Sequence, residues 1–310
     1  MKNAIKNMTV TVSVAAGLMT FVANLFAAGT SAASFLKLGA GARAEAMGGA
    51  FSAVANDVTA VYWNPAGLAQ LETAELAAMQ NTHFVDTQYQ FLAGAKPMGQ
   101  NVMGISFYRL DYGTIDSYTA TDVKNGSFDA GSMAASVSLG RKLNDRMMAG
   151  VSVKLIEESI ESEKASTFAA DLGVLYKMDR FNFSGVIQNA GPGLKMVKDS
   201  APLPLTIRVG ASTKFMNEKM LGSVEISKPN DAAASLRGGV EYRLASMFAL
   251  RGGYAMAPGQ STDLGGLVGL NAGLGVTFNR FNMDYTISPF GDLGLSHRIS
   301  FGYKFNSPQY

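Results

Sequence analysis

The chain has no cysteine. That excludes disulfides and thiolate metal sites, and it suits an exported protein that avoids unwanted oxidation. Only two histidines occur, His83 and His297, and neither has a His or Cys neighbour at metal-ligand spacing. Charge is scarce and nearly balanced, with 16% charged residues and a formal net charge of +2. The basic residues are scattered, whereas a nucleic-acid footprint gathers them on one face, so no nucleic-acid partner is expected. Beyond the N-terminal region no run approaches the ~20 consecutive apolar residues of a membrane-spanning helix.

What is present begins with a leader-like N-terminus. Lys2 and Lys6 supply a positive start, Met8 to Phe26 is mostly apolar, and Ala27, Ala28 and Gly29 are small. This is the pattern of a secretory signal peptide over 1–28, cut near Ala28. The alternative is a permanent membrane anchor, since the apolar run is rather long.

From Thr73 onward the chain alternates apolar and polar residues in segments of about ten. Ile299, Phe301, Tyr303 and Phe305 oppose Arg298, Ser300, Gly302 and Lys304. Leu236, Gly238, Val240 and Tyr242 oppose Arg237, Gly239, Glu241 and Arg243. Alternation of this kind sends the two sets to opposite faces of a strand. About fourteen strands are predicted, at 74–83, 87–97, 101–111, 128–140, 146–158, 166–178, 180–189, 204–215, 219–227, 234–244, 247–256, 265–278, 280–288 and 296–306. Each is long enough to cross a bilayer with tilt, which takes ~9–11 residues.

The connections alternate between short turns and longer loops. The longer ones are expected at Asp111 to Phe128, Glu157 to Ser166, Asn189 to Leu203 and Ala257 to Leu264. Short turns on one rim, long loops on the other and aromatic residues near strand ends (Tyr108, Tyr176, Phe215, Phe278, Phe281, Tyr303, Phe305) fit an outer-membrane barrel. The fold class expected is therefore all-β: a transmembrane antiparallel outer-membrane β-barrel with both termini periplasmic. A soluble β-sandwich or barrel is the alternative with the same period. In the membrane reading the polar faces line the lumen, and Lys154, Asp171, Arg208, Glu225, Arg237, Glu241, Arg243, Arg251 and Asp284 point inward. Mixed signs allow cross-strand ion pairs there, as wall supports or as substrate contacts.

The stretch Phe35 to Leu68 does not alternate. It is small, Gly/Ala-rich and irregular, and it ends in Trp63-Asn64-Pro65-Ala66-Gly67. It is expected to fill the barrel as a plug over 29–72, with the barrel over 73–310. Asn56, Asp57 and Asn64 would tie it to the wall and satisfy buried backbone groups. Pro65 sets a rigid corner, and Trp63 offers a large apolar anchor with one donor. The turn is either fixed or a gate that shifts when ligand enters.

Gly39 to Phe51, with Arg43 inside it, then Ala55-Asn56-Asp57 and Tyr62-Trp63-Asn64-Pro65-Ala66-Gly67-Leu68, resembles the N-terminal signature of PorV/PorQ-type outer-membrane proteins. These are related to the FadL group of hydrophobic-compound transporters. The resemblance implies a fourteen-stranded barrel with an N-terminal plug, and makes Arg43, Asn56, Asp57, Trp63, Asn64 and Pro65 the plug or gate candidates. It also implies one of two activities: passive passage of small hydrophobic compounds, or a partner role in type IX secretion with secreted proteins as cargo. A structural barrel without cargo is the third possibility. Partners implied are outer-membrane lipid and the barrel assembly machinery, which would read a terminal aromatic, Tyr310 or Phe305.

Other motifs carry less. Gly39-Ala-Gly41-Ala-Arg-Ala44 matches a loose dinucleotide fingerprint but lacks the βαβ unit around it. Its glycines read better as tight backbone packing. Ser34-Phe-Leu-Lys37 lacks the partner motifs of penicillin-binding enzymes. Glu157, Glu158, Glu161 and Glu163 miss calcium-loop spacing and read as a solvated loop. No nucleophile, base and oxyanion donors come together, so the chain reads as a non-enzyme without cofactor or metal. Two further expectations concern the barrel itself. Methionines would make the interior adaptable to varied ligands, and a lateral opening, if any, would sit in the Gly-rich strand 265–278.

Overall fold

The structure, a computed structural model, describes residues 29–82, 87–256, 267–290 and 294–305. The expected leader 1–28, His83, the whole of the expected 257–264 loop and Tyr310 lie outside the described residues. The N-terminal segment holds a 3-10 turn (Ser34–Lys37), two short helices (Ala42–Ala46, Ala60–Trp63) and a second 3-10 turn (Pro65–Gln70). Strands then follow in order: β1 (Glu75–Thr82), β2 (Gln88–Met98), β3 (Asn101–Tyr118), β4 (Lys124–Lys142), β5 (Met147–Ile160), β6 (Glu163–Met178) and β7 (Phe181–Ala190). A small hairpin comes next, β8 (Leu194–Met196) with β9 (Asp199–Ala201). The chain continues with β10 (Thr206–Phe215), β11 (Met220–Pro229), β12 (Ser235–Arg243), β13 (Phe248–Met256), β14 (Leu270–Phe278), β15 (Phe281–Pro289) and β16 (Leu295–Lys304).

All strands except β8 and β9 form one closed antiparallel barrel, fourteen in the wall, each paired to its neighbours in sequence order. Closure is made by β1 on β16, with Glu75 opposite Lys304 and Thr82 opposite His297. The Phe305 N–H extends the seam by donating to the Ala74 carbonyl at 2.8 Å. Closure leaves no unpaired edge within the ring itself, which is the condition for a β structure in hydrocarbon.

The predicted faces hold. Leu155, Ile105, Phe168, Leu172 and Val224 project outward and are exposed, while Lys154, Asp171, Arg208, Glu225, Glu241 and Asp284 are buried inside. An apolar outer surface on every strand with a polar inner one is the pattern of a wall that faces lipid. Tyr176, Phe215, Phe278, Phe281 and Phe305 are exposed near the rim that carries the short turns. Tyr108 departs from that group. It points inward and is 1% exposed, because it falls on the polar register of β3 between Phe107 and Arg109. The methionine expectation is overturned as well. Met98, Met103, Met147, Met178, Met247, Met256 and Met283 face outward, and among the described residues only Met47, Met79 and Met148 are buried.

The rims differ less than the sequence suggests. Gly99-Gln100, Asp179-Arg180 and Asn279-Arg280 are two-residue turns on one rim, where Asp179 and Asn279 take the left-handed conformation these residue types tolerate. On the opposite rim, the expected loop 111–128 is mostly paired strand. β3 and β4 run on as a hairpin past their neighbours, with a bulge between Asp111 and Thr114. The expected loop 157–166 is also paired, with Ile160 opposite Glu163. Hydroxyl and charged residues there keep the period-2 register without looking like strand. The loop after β7 folds into the β8–β9 hairpin, which buries Leu194 among the interior apolar residues, as the loop buries Leu203. β14 starts at Leu270 and pairs with both neighbours from Ala272 to Val276 without a register shift, so that part holds no opening. Register shifts occur instead at Asp111/Thr114, Ser117/Tyr118 and Ala170/Leu172.

The N-terminal segment packs against the inner side of this wall. Its start lies at the long-loop rim, where Gly29 N–H donates to the Asp231 carbonyl at 3.2 Å and Ala32 N–H to the Pro202 carbonyl at 3.0 Å. Its end meets β1 at the short-turn rim. Ala40, Ala42, Ala46, Ala55, Ala60 and Ala66 are fully buried along the way. Small side chains are what allow two backbones to approach this closely. At Gly253 a Cβ would stand 2.1 Å from Gly48 N and 2.2 Å from Met47 C, so β13 tolerates only glycine there. At Gly150 a Cβ would stand 2.2 Å from the Pro65 carbonyl carbon.

Candidate functional site

Three polar fastenings join the segment to the wall. The first centres on Arg43, in the short helix Ala42–Ala46. Its Nε donates to Glu241 Oε2 at 2.7 Å, and its Nη2 to Glu241 Oε1 at 3.1 Å. Its Nη1 donates to Asn56 Oδ1 at 2.7 Å and Asp57 Oδ2 at 2.9 Å. Glu241 Oε2 also accepts from Arg251 Nε at 2.8 Å, and Arg251 Nη1 reaches Asp284 Oδ1 at 2.7 Å. The result is a chain of alternating charge from the segment across β12, β13 and β15. Asn56 and Asp57 therefore bind the segment's own Arg43, and Arg43 makes the wall contact. Arg243 lies at the edge of this network, half exposed and 3.7 Å from Glu241. Arg43, Asp57, Glu241, Arg251 and Asp284 line a cavity of about 510 Å³ at the short-turn rim.

The second fastening surrounds Trp63. Arg208 on β10 pairs with Glu225 on β11 at 2.6 Å, both buried, and its guanidinium lies 5.1 Å from the Trp63 ring centre. Glu225 accepts from the Ser52 N–H at 2.9 Å, which ties the ion pair to the segment. Trp63 Nε1 donates to the Ala40 carbonyl at 2.7 Å, so the one donor of this side chain is satisfied within the segment. Phe51 and Tyr62 pack edge-on against the indole at 6.1 and 5.1 Å.

The third is at Asn64. Its Nδ2 donates to the Ser52 carbonyl at 2.9 Å and to the Val174 carbonyl of β6 at 3.2 Å. Its Oδ1 accepts from Ala66 N–H at 3.0 Å and caps the turn that Pro65 begins. Arg237 lies beside Gly49, where a Cβ would come within 2.5 Å of its Nη1. Lys154 and Asp171 pair at 2.8 Å with almost no exposure, and Asn189 accepts from Lys154 at 2.6 Å. That pair joins β5, β6 and β7 within the wall and is separate from the three fastenings.

Other contacts were not legible in the sequence. Lys37 pairs with Asp231 at 2.6 Å, and Ser31 also donates to that carboxylate. Asp231 lies in the β11–β12 loop. Burial pushes its carboxyl up, and the hydrogen bonds from Lys37 and Ser31 outweigh this, so it sits below the ordinary aspartate value. Arg298 of β16 reaches Glu45 at 3.3 Å, and Ala42 N–H donates to Ser300 Oγ at 2.7 Å. These partners are far apart in sequence and carry no shared motif. His297 meets Tyr285 at 2.7 Å near the long-loop rim.

The sequence model of an uncharacterised protein family, UPF0164, matches residues 6–174. No curated protein matches the chain. Among solved structures, the toluene transporter TodX of Pseudomonas putida superposes with a TM-score of 0.66 at 14% identity, covering 87% of this chain and 98% of that one. The toluene transporter TbuX of Ralstonia pickettii gives 0.66 at 14% identity, covering 86% and 99%. A FadL homologue of Pseudomonas aeruginosa gives 0.57 at 12% identity, covering 83% and 96%. At such identities the likeness establishes the fold, a FadL-type barrel. The PorV/PorQ label suggested by residues 39–68 is not the one the matching family carries.

Proposed function

The chain belongs to the uncharacterised protein family UPF0164, and from that starting point we propose that it is an outer-membrane channel for small hydrophobic compounds, with 73–310 as the barrel and 29–72 as its plug. The observation that carries the reading is how the segment is held. No strand of it pairs with the wall among the described residues. Apart from two backbone hydrogen bonds at the long-loop rim, from Gly29 and Ala32, its attachments are ion pairs and hydrogen bonds that involve a side chain, at Lys37, Arg43, Glu45, Ser52 and Asn64 among others. Such contacts break and re-form one at a time, whereas a backbone ladder would lock the lumen. The fold supports the same reading, since the toluene transporters named above share it. In this orientation the short-turn rim and both ends of the barrel face the periplasm, and the Arg43 cavity is the periplasmic vestibule. Liposomes carrying the purified protein should take up toluene faster than empty ones. Equal rates would overturn the proposal.

A second reading is a PorV-type partner of type IX secretion. What favours it is the β3–β4 hairpin, whose residues beyond Asp111 and Ala130 pair only with each other. It exposes Tyr112, Ile115 and Tyr118 on β3 and Val123 in the turn, and its free strand edges suit pairing with another chain. Pull-down from native membranes with and without residues 114–128 would test it. Loss of secreted proteins from the shortened form supports the reading, and recovery of the barrel alone from both forms sinks it.

A further inference from the structure

Four inward side chains near the long-loop rim end in hydrogen-bond donors that have no partner among the described residues. They are Asn81 Nδ2 on β1, Tyr89 Oη on β2, Tyr108 Oη on β3 and Arg298 Nε on β16. All four residues are buried. They also sit together. Asn81 lies directly opposite Arg298 on one side and Tyr89 on the other. Tyr108 is opposite Phe91, two residues along from Tyr89. Four adjacent strands thus turn unmatched donors toward one place, although buried donors are nearly always paired.

The chemistry of the surroundings narrows what fits. Asn81 Oδ1 accepts from Ser296 at 2.9 Å, and the Arg298 amino groups serve Glu45 at 3.3 Å and the Leu38 carbonyl at 3.1 Å. These acceptors are bonded to other donors, and none of them meets the four donor atoms. Beside the donors, the Phe35 and Phe91 rings stand 5.9 and 6.2 Å from the Tyr108 ring. Phe35 belongs to the turn Ser34–Lys37, which is held to the outer loops by the Lys37–Asp231 pair.

We propose that this place is a ligand subsite for a ring-sized apolar molecule that ends in an oxygen acceptor, a ketone or a carboxylate. The molecule's ring takes the position of Phe35 when the turn withdraws, and its oxygen accepts from the tyrosine hydroxyls and Asn81. A carboxylate would gain further from Arg298 Nε, because charge-assisted hydrogen bonds are the stronger ones. The inference rests on the channel reading and adds a polar selectivity to it.

The test compares toluene, acetophenone and benzoate, by binding to the purified protein and by uptake into liposomes. Acetophenone should bind roughly tenfold more tightly than toluene, since a site built for an oxygen discriminates against its absence. Benzoate bound above acetophenone would assign the charged donor, and Arg298→Gln should then remove that increment alone. The Tyr89→Phe/Tyr108→Phe double variant keeps both rings and should bring acetophenone down to the level of toluene. Equal binding of acetophenone and toluene by the wild type would overturn the subsite, as would a preference that survives the double variant. Either result leaves toluene uptake, and with it the channel reading, intact. Uptake of none of the three would instead remove the channel reading.

Discussion

Single side chains decide how the interior holds together, and the Arg208–Glu225 pair shows it most clearly. Both are buried, they are 2.6 Å apart, and Glu225 also receives Ser52 N–H. Removing one partner of a buried pair leaves the other charge uncompensated, at about 3–5 kcal/mol. Glu225→Leu should lower the unfolding free energy read from urea titration in detergent by that amount, and Arg208→Met/Glu225→Leu should recover most of it. Equal losses in the single and double variants would show that the pair adds only shape. At this scale the sequence was partly legible. Period-2 alternation put Arg208, Glu225, Glu241, Arg251 and Asp284 on the inner face. It could not say which charge meets which, because partners on neighbouring strands are set by register. Asn56 and Asp57 show the limit: their polarity was read correctly, but the partner was Arg43, thirteen and fourteen residues away.

Among the elements, strands were easier to foresee than the segment between them. Apolar faces on lipid produce a strong signal. The hairpin beyond Asp111 does not, since outside the lipid its residues need no apolar side. The β8–β9 hairpin is too short to show a period at all. The segment's own turn Ser34–Lys37 is tied by Lys37 to Asp231. The Asp231 carboxyl is depressed in the folded state, so the stabilisation is present above the ordinary aspartate value and is lost as pH falls through the lower folded one. The chain has no cysteine, so Ser34→Cys gives a unique probe position on an exposed residue. A fluorophore there should report a fixed turn at neutral pH and through the usual aspartate range, and a loosened one only in stronger acid. Adding Asp231→Asn should loosen it at every pH. A transition centred at or above the ordinary aspartate value would contradict the assignment.

The whole molecule is a lipid-facing wall around a packed interior, and Trp63 reports on that arrangement because it is the only tryptophan. It is fully buried between the segment and β10. In bilayers whose acyl chains carry bromine, its emission should fall little, and acrylamide in the water should quench it little as well. Urea sufficient to unfold the barrel should restore quenching by acrylamide. Strong quenching by the brominated chains in the folded state would place the indole on the wrong side of the wall. The closed fourteen-stranded form was foreseeable because length, period and turn spacing all agree with it. What fills the interior was foreseeable only as a stretch that fails to alternate, since glycine and alanine say that backbones approach without saying which ones.

The segment enters at the long-loop rim, where Gly29 meets Asp231, and leaves at the opposite rim into β1. Topologically it is a thread that runs the full height of a ring, with the ring's own seam formed by β1 on β16. There are two ways to make such an object. Either the seam shuts around a chain already laid along the axis, or the Gly29 end is drawn up through a finished lumen past Gly150 and Gly253. The close backbone contacts at those glycines leave little clearance for a moving chain. Closing the seam after the thread is laid avoids that passage.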